Sequence, residues 1–102
     1  MTASRPATEI LAERMQLLLA IGEANAAVQR AQAVAGGVEI DVMNVEEQLE
    51  TSGPSEALHA QLERARGRDD AARTALAAAE AKREALEQQL ARLDRELASA
   101  TR

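Results

Sequence analysis

The sequence predicts an all-α chain folded as an antiparallel helical hairpin, a coiled coil expected to pair with a second hairpin as a four-helix bundle. Three observations carry this expectation: a heptad of apolar residues in each half, a single proline-containing turn between the halves, and a composition that can build only a thin core. Phe, Tyr, Trp and Cys are all absent. The core therefore has to come from Ala, Leu, Val, Ile and Met, with no disulfide or thiolate-metal staple, which favours long helices and oligomerisation.

With 46 % apolar and 28 % charged residues in 102, the chain falls in the range of one small, folded, soluble domain. Neither end pairs a charged stretch with a continuous apolar run, and nothing approaches the roughly 20 apolar residues that span a bilayer. The default expectation is a cytoplasmic protein without membrane insertion.

The elements follow in order. Residues 1–7 are expected as a flexible lead and 8–102 as one hairpin domain, with arm 1 over 8–50, a turn over 51–55 and arm 2 over 56–101. The prolines are Pro6 and Pro54, and Thr51-Ser52-Gly53-Pro54-Ser55 is the one convincing turn. Pro54 suits a first helical position, with Gly53 as the cap and Glu56 placed against the helix dipole.

In arm 1 the four-three rhythm runs Ile10, Arg14, Leu17, Ile21, Ala24, Val28, Ala31, Ala35, Val38, Val42, Val45 and Leu49, with Arg14 the one polar member. The phase passes unbroken through Gly36-Gly37, and Gly22, Gly36, Gly37 and Gly67 fall on outward positions. Each such glycine costs about 1 kcal/mol of helix stability relative to Ala, so the glycine pair is a soft point. Two rival readings break the chain there, as a three-helix bundle or as a short strand over Val38-Glu39-Ile40-Asp41-Val42.

Arm 2 repeats the rhythm at Leu58, Leu62, Ala65, Asp69, Ala72, Leu76, Ala79, Arg83, Leu86, Leu90, Leu93, Leu97 and Ala100, apolar apart from Asp69 and Arg83. A heptad held this long is the mark of a left-handed supercoil. Folding the arms about the turn levels Leu49 with Leu58, Val28 with Ala79 and Ile10 with Leu97. The same register sets Glu39 beside Arg66, Asp41 beside Arg68 and Glu46 beside His59. Opposite charges then meet near the turn and specify the register more than they stabilise it. Arg14, Asp69 and Arg83 face Leu93, Val38 and Ala24 with no opposite charge in the layer, and Asp69 near the glycines suggests an open, hydrated layer.

Toward the free ends the flanks turn apolar. Leu11 lies beside Asp94, Leu18 beside Glu87, Ala20 beside Gln89, Ala27 beside Lys82 and Val34 beside Ala75. Met15 and Leu19 make residues 10–21 apolar on nearly every face, which a two-helix hairpin cannot bury. Ile10, Leu11, Met15, Leu18, Leu19, Ala27 and Val34 are therefore the expected interface of a homodimer formed through the half containing the termini. Self-pairing of arm 2, with Arg66 and Arg73 facing Glu87 and Glu80, is a further arrangement the pattern allows.

Chemistry is nearly absent. His59 has Glu46, Glu56 and Glu63 nearby, a weak metal set for which a solvated histidine is the simpler reading. Glu46-Glu47 and Asp69-Asp70 are adjacent in sequence and diverge by about 100° on a helix. No catalytic, cofactor-binding or metal-ligating residue is assigned, and no enzyme or cofactor is expected. The basic cluster Arg64, Arg66, Arg68 and Arg73 offers a phosphate track without an aromatic to stack on a base, and the net charge of −5 opposes it.

Between Arg30 and Arg64 there is no Lys or Arg, and the turn end is acidic. Ile40 and Met43, one turn apart on the outer face, with Glu46, Glu47 and Glu50, form the expected docking patch for a protein partner with a basic surface. In architecture alone the chain is similar to small bacterial helical hairpins such as secretion chaperones, export-apparatus stalks and the Trp-x-Gly proteins. Its turn reads Thr51-Ser52-Gly53 where the last carry their motif, and no family is assigned. The leading functional expectation is a non-catalytic structural or adaptor subunit. A small chaperone holding a client helix on its apolar N-terminal face stands second, and a nucleic-acid-associated protein is more distant.

Overall fold

The computed structural model describes residues 5–101 and consists of two helices, α1 (Ala7–Ser52) and α2 (Glu56–Ala100), folded against one another as a hairpin. The rod measures 71 × 23 × 14 Å. The heptads account for its packing, because no residue of either four-three rhythm is exposed. The apolar core residues, Ile10, Ala24, Val28, Val45, Leu62, Ala65, Ala72 and Leu93, all belong to those rhythms. Such a seam is narrow, and the hairpin exposes 7337 Å². A compact monomer of 10.9 kDa exposes about 5,600 Å². The difference follows from the elongated shape, in which two helices share a single seam.

α1 runs straight through Gly36-Gly37, so neither the three-helix break nor the strand over 38–42 forms. In a continuous helix both glycines point outward, where an added Cβ would meet no atom within 4 Å. The turn differs from expectation in its capping. Gly53 closes α1 instead of opening α2. Its φ of 80° is accessible to glycine at little cost, and its N–H donates to the Leu49 carbonyl at 3.0 Å. Ser55 is the N-cap of α2, its hydroxyl accepting from the Leu58 N–H at 3.3 Å, while Pro54 stands one residue before it.

Cross-helix ion pairs depart from the sequence register in an instructive way. Arg66 lies 3.8 Å from Glu46 rather than beside Glu39, and among the described residues no ion pair joins Arg68 to Asp41 or Glu46 to His59. Helical side chains lean toward their own N-terminus. On antiparallel helices Arg66 therefore leans toward the turn and Glu46 away from it, and the two meet across an offset of one heptad.

The same lean gives Arg14 a partner the layer reading denied it, with Nε donating to Asp94 Oδ1 at 2.8 Å. Arg83 lies 3.8 Å from Glu87 on its own helix. The Asp69 layer is less open than expected. Asp69 is buried, one oxygen 3.0 Å from Arg73 and the other, Oδ1, buried without a partner. Of the lead expected to be flexible, residues 1–4 lie outside the described residues. Arg5 is tied by ion pairs to Glu13 and Glu96, and α1 begins at Ala7.

Candidate functional site

The Glu46–Arg66 pair fixes which rows of side chains share one side of the hairpin. Counting in sevens, that side carries Leu11, Leu18, Asn25, Gln32 and Glu39 on α1 with His59, Arg73, Glu80, Glu87 and Asp94 on α2. On the opposite side Ala20 shares an open groove with Gln89, and Ala27 shares one with Lys82, as the register expects. The expected interface set is therefore split. Leu11 and Leu18 lie on the first side, with Met15 and Leu19 outward next to them, while Ala27 and Val34 follow the second. Ile10 is a correction, since it is fully buried inside the hairpin and presents nothing to a partner.

Among the described residues every exposed large apolar side chain lies on α1: Leu11, Met15, Leu18, Leu19, Val34, Ile40 and Met43. Met15 and Leu19 are each 60 % exposed, and Ile40 and Met43 are 57 % and 59 % exposed. α2 contributes none because each of its leucines falls in the seam.

At the open end the second side is held by charge. Glu13 and Glu96 are like-charged neighbours across the helices, and Arg5 reaches both. Toward Glu96 the guanidinium forks, Nε to Oε1 at 2.8 Å and Nη2 to Oε2 at 2.9 Å. Hydrogen bonding from Arg5 holds the Glu96 carboxyl below its ordinary range, and the carboxylates of Glu96 and Glu13 push the Arg5 guanidinium up.

Near the turn, Met43, Glu46, Glu47, Glu50, Leu62 and Arg66 border a shallow groove. Arg66 offsets part of the Glu46 charge, while Glu47 and Glu50 have no basic side chain within 4.0 Å among the described residues. His59 is exposed beside this end, and no three His or carboxylate side chains of the described residues converge as a metal cage. Among the described residues no helix is long and apolar enough to cross a membrane. Comparison with known proteins finds no matching family model, no similar curated protein and no matching solved structure.

Proposed function

We propose that this chain is a non-catalytic protein-interaction module, a structural or adaptor subunit that associates through the apolar outward face of α1 and offers its acidic turn end to a basic partner. The observation that carries this reading is that, among the described residues, every exposed large apolar side chain lies on one helix of the rod. Leu11, Met15, Leu18, Leu19, Ile40 and Met43 gather on the outward part of α1, with Val34 toward the opposite side, and apolar side chains so gathered mark a binding surface, whereas scattered ones are ordinary. The turn end adds like charges on a slender tip, which suits orientation and capture of a positively charged surface.

The test is quantitative capture from the native host on the intact chain and on two variants, one carrying Leu11→Glu with Leu18→Glu and the other Glu47→Gln with Glu50→Gln. A partner retained by the intact chain and lost from one variant assigns that surface. Identical binding to all three sinks the reading. The exposed Met15 and Leu19 favour a chaperone as the second reading, because flexible apolar side chains accommodate varied helices. It predicts a monomer in solution whose helices are stabilised by a client peptide.

A further inference from the structure

The outward face of α1 is longer than the N-terminal apolar cluster. From Leu11 to Met43 a row of positions three or four residues apart runs along the helix away from α2, and none of its members is charged. Its ends are large, with Leu11, Met15 and Leu18 at one and Ile40 and Met43 at the other. Its middle is mostly small, with Gly22, Ala26, Ala33 and Gly36 around Gln29.

Within the hairpin those glycines have no steric cause, since a Cβ on Gly22, Gly36 or Gly37 would meet nothing within 4 Å. Glycine inside a long helix weakens it. Gly22 and Gly36 share this outward row, with Gly37 about 100° round the helix beside them, and a body that approaches the face closely would account for them.

We propose that this body is a second copy of the chain, packed antiparallel so that Leu18 and Leu19 of each copy seat on Gly37 and Gly36 of the other. This rests on reading the α1 face as a protein-binding surface, and it names the occupant. The row is complementary to itself about a two-fold axis between Val28 and Ala27. In that register Met15 lies over Ile40, Gly22 over Ala33 and Ala26 over Gln29, while at the ends Leu11 lies over Asn44 and Met43 over Ala12.

The same axis crosses α2 at the level of Ala79 and Glu80. There the row sharing this side is positive toward the turn, at Arg66 and Arg73, and negative toward the open end, at Glu80, Glu87 and Asp94. Antiparallel stacking sets Arg66 of one copy near Asp94 of the other and Arg73 near Glu87. A parallel dimer would instead put Leu11 and Leu18 against Asp94 and Glu87, leaving carboxylates to be desolvated by leucines.

The face over residues 11–43 is about 50 Å long and about 10 Å wide, and with the facing row of α2 it amounts to on the order of 1,000 Å² per copy. That meets the area of a stable specific interface. Ile40 and Met43, expected to serve a separate partner, are then enclosed by the second copy. The two acidic turns point in opposite directions about 75 Å apart, so one dimer can bridge two basic surfaces.

The chain has no cysteine, so single spin labels can be placed on the full-length protein through Gln29→Cys and Asn44→Cys. The antiparallel dimer places the two Gln29 labels within about 20 Å of each other and the two Asn44 labels about 50 Å apart. Short distances at both positions would mean a parallel dimer, and no distance between chains would mean a monomer. Either result overturns the proposal, and neither touches the tip as a docking site.

Gly36→Leu with Gly37→Leu is the steric test. It should raise the dimer dissociation constant about 10- to 100-fold while helicity holds or rises, and adding Leu18→Ala with Leu19→Ala should recover most of the loss. A Gly→Leu variant that dimerises as tightly as the parent also overturns the packing.

Discussion

Arg5 and Glu96, ninety-one residues apart in sequence, form a forked ion pair that closes the open end of the hairpin. Arg5 also pairs with Glu13, so one guanidinium separates two carboxylates that would otherwise repel across the helices. Arg5→Ala should let the last turn of α2 fray without unfolding the rod, read as faster amide exchange at residues 93–100 and unchanged exchange near Val45 and Leu62.

The pH dependence has a definite sign. Glu96 is held below its ordinary value of 4.5 by the hydrogen bond from Arg5. A carboxylate of depressed pKa contributes stability above its unfolded value and loses it as pH falls through the folded one. Acidification below 4.5 should therefore release the open end in the parent and change little in Arg5→Ala. Equal acid sensitivity in the two proteins would show that the clamp does not control this end.

Asp69 makes the opposite kind of contribution. Its Oδ2 is paired to Arg73, but Oδ1 is buried without a partner, and an unsatisfied buried polar atom costs roughly 1–3 kcal/mol. Asp69→Leu should raise the folding free energy by about 1–2 kcal/mol in denaturant titration, because a leucine fills the same layer without desolvating charge. A loss of stability would show that the carboxylate has a partner the hairpin alone does not supply.

The heptads predict both helices and the level of every seam residue, since apolar periodicity sets which face of each helix is buried. They do not set where a long charged side chain ends. Glu46 was therefore expected opposite His59 and is found with Arg66, and Arg14 was read as unpartnered although Asp94 is within reach. Arg5 was missed for another reason: short polar leads before a helix read as loose, and a clamp across ninety-one residues leaves no periodic trace. The expected dimer surface was drawn from flanking positions and so mixed two sides of the rod. The outward glycines, weighed there as soft points, are also the places where the packing proposed above would seat another helix.

Fold and association should separate by mutation. Ile10 is fully buried, so Ile10→Ala should cost about 2–4 kcal/mol of folding free energy. Leu19→Ala removes a side chain that is 60 % exposed and should cost less than about 0.5 kcal/mol in dilute monomer. If α1 is an interface, the rank reverses in sedimentation at high concentration, where Leu19→Ala weakens self-association. The double variant Leu11→Glu, Leu18→Glu should go further and sediment as a helical monomer, because its new carboxylates join the row containing Glu87 and Asp94. A dimer that survives it has its interface on α2.

The acidic tip makes a graded prediction, because its glutamates are not equivalent. Glu46 lies 3.8 Å from Arg66, whereas Glu47 and Glu50 have no such neighbour among the described residues. Exposed like charges act mainly on the encounter rate, and salt screens them. Glu47→Gln with Glu50→Gln should therefore lower the association rate for a basic partner about fivefold to tenfold at low salt and flatten its salt dependence, with little change in dissociation. Glu46→Gln should have a smaller effect, since its field is partly cancelled and its loss frees Arg66 at the same tip. Stopped-flow association at several ionic strengths reads both variants. Equal effects would mean that the Glu46–Arg66 pair is open in solution, and no effect from either would leave the acidity to solubility and remove the tip as a docking site.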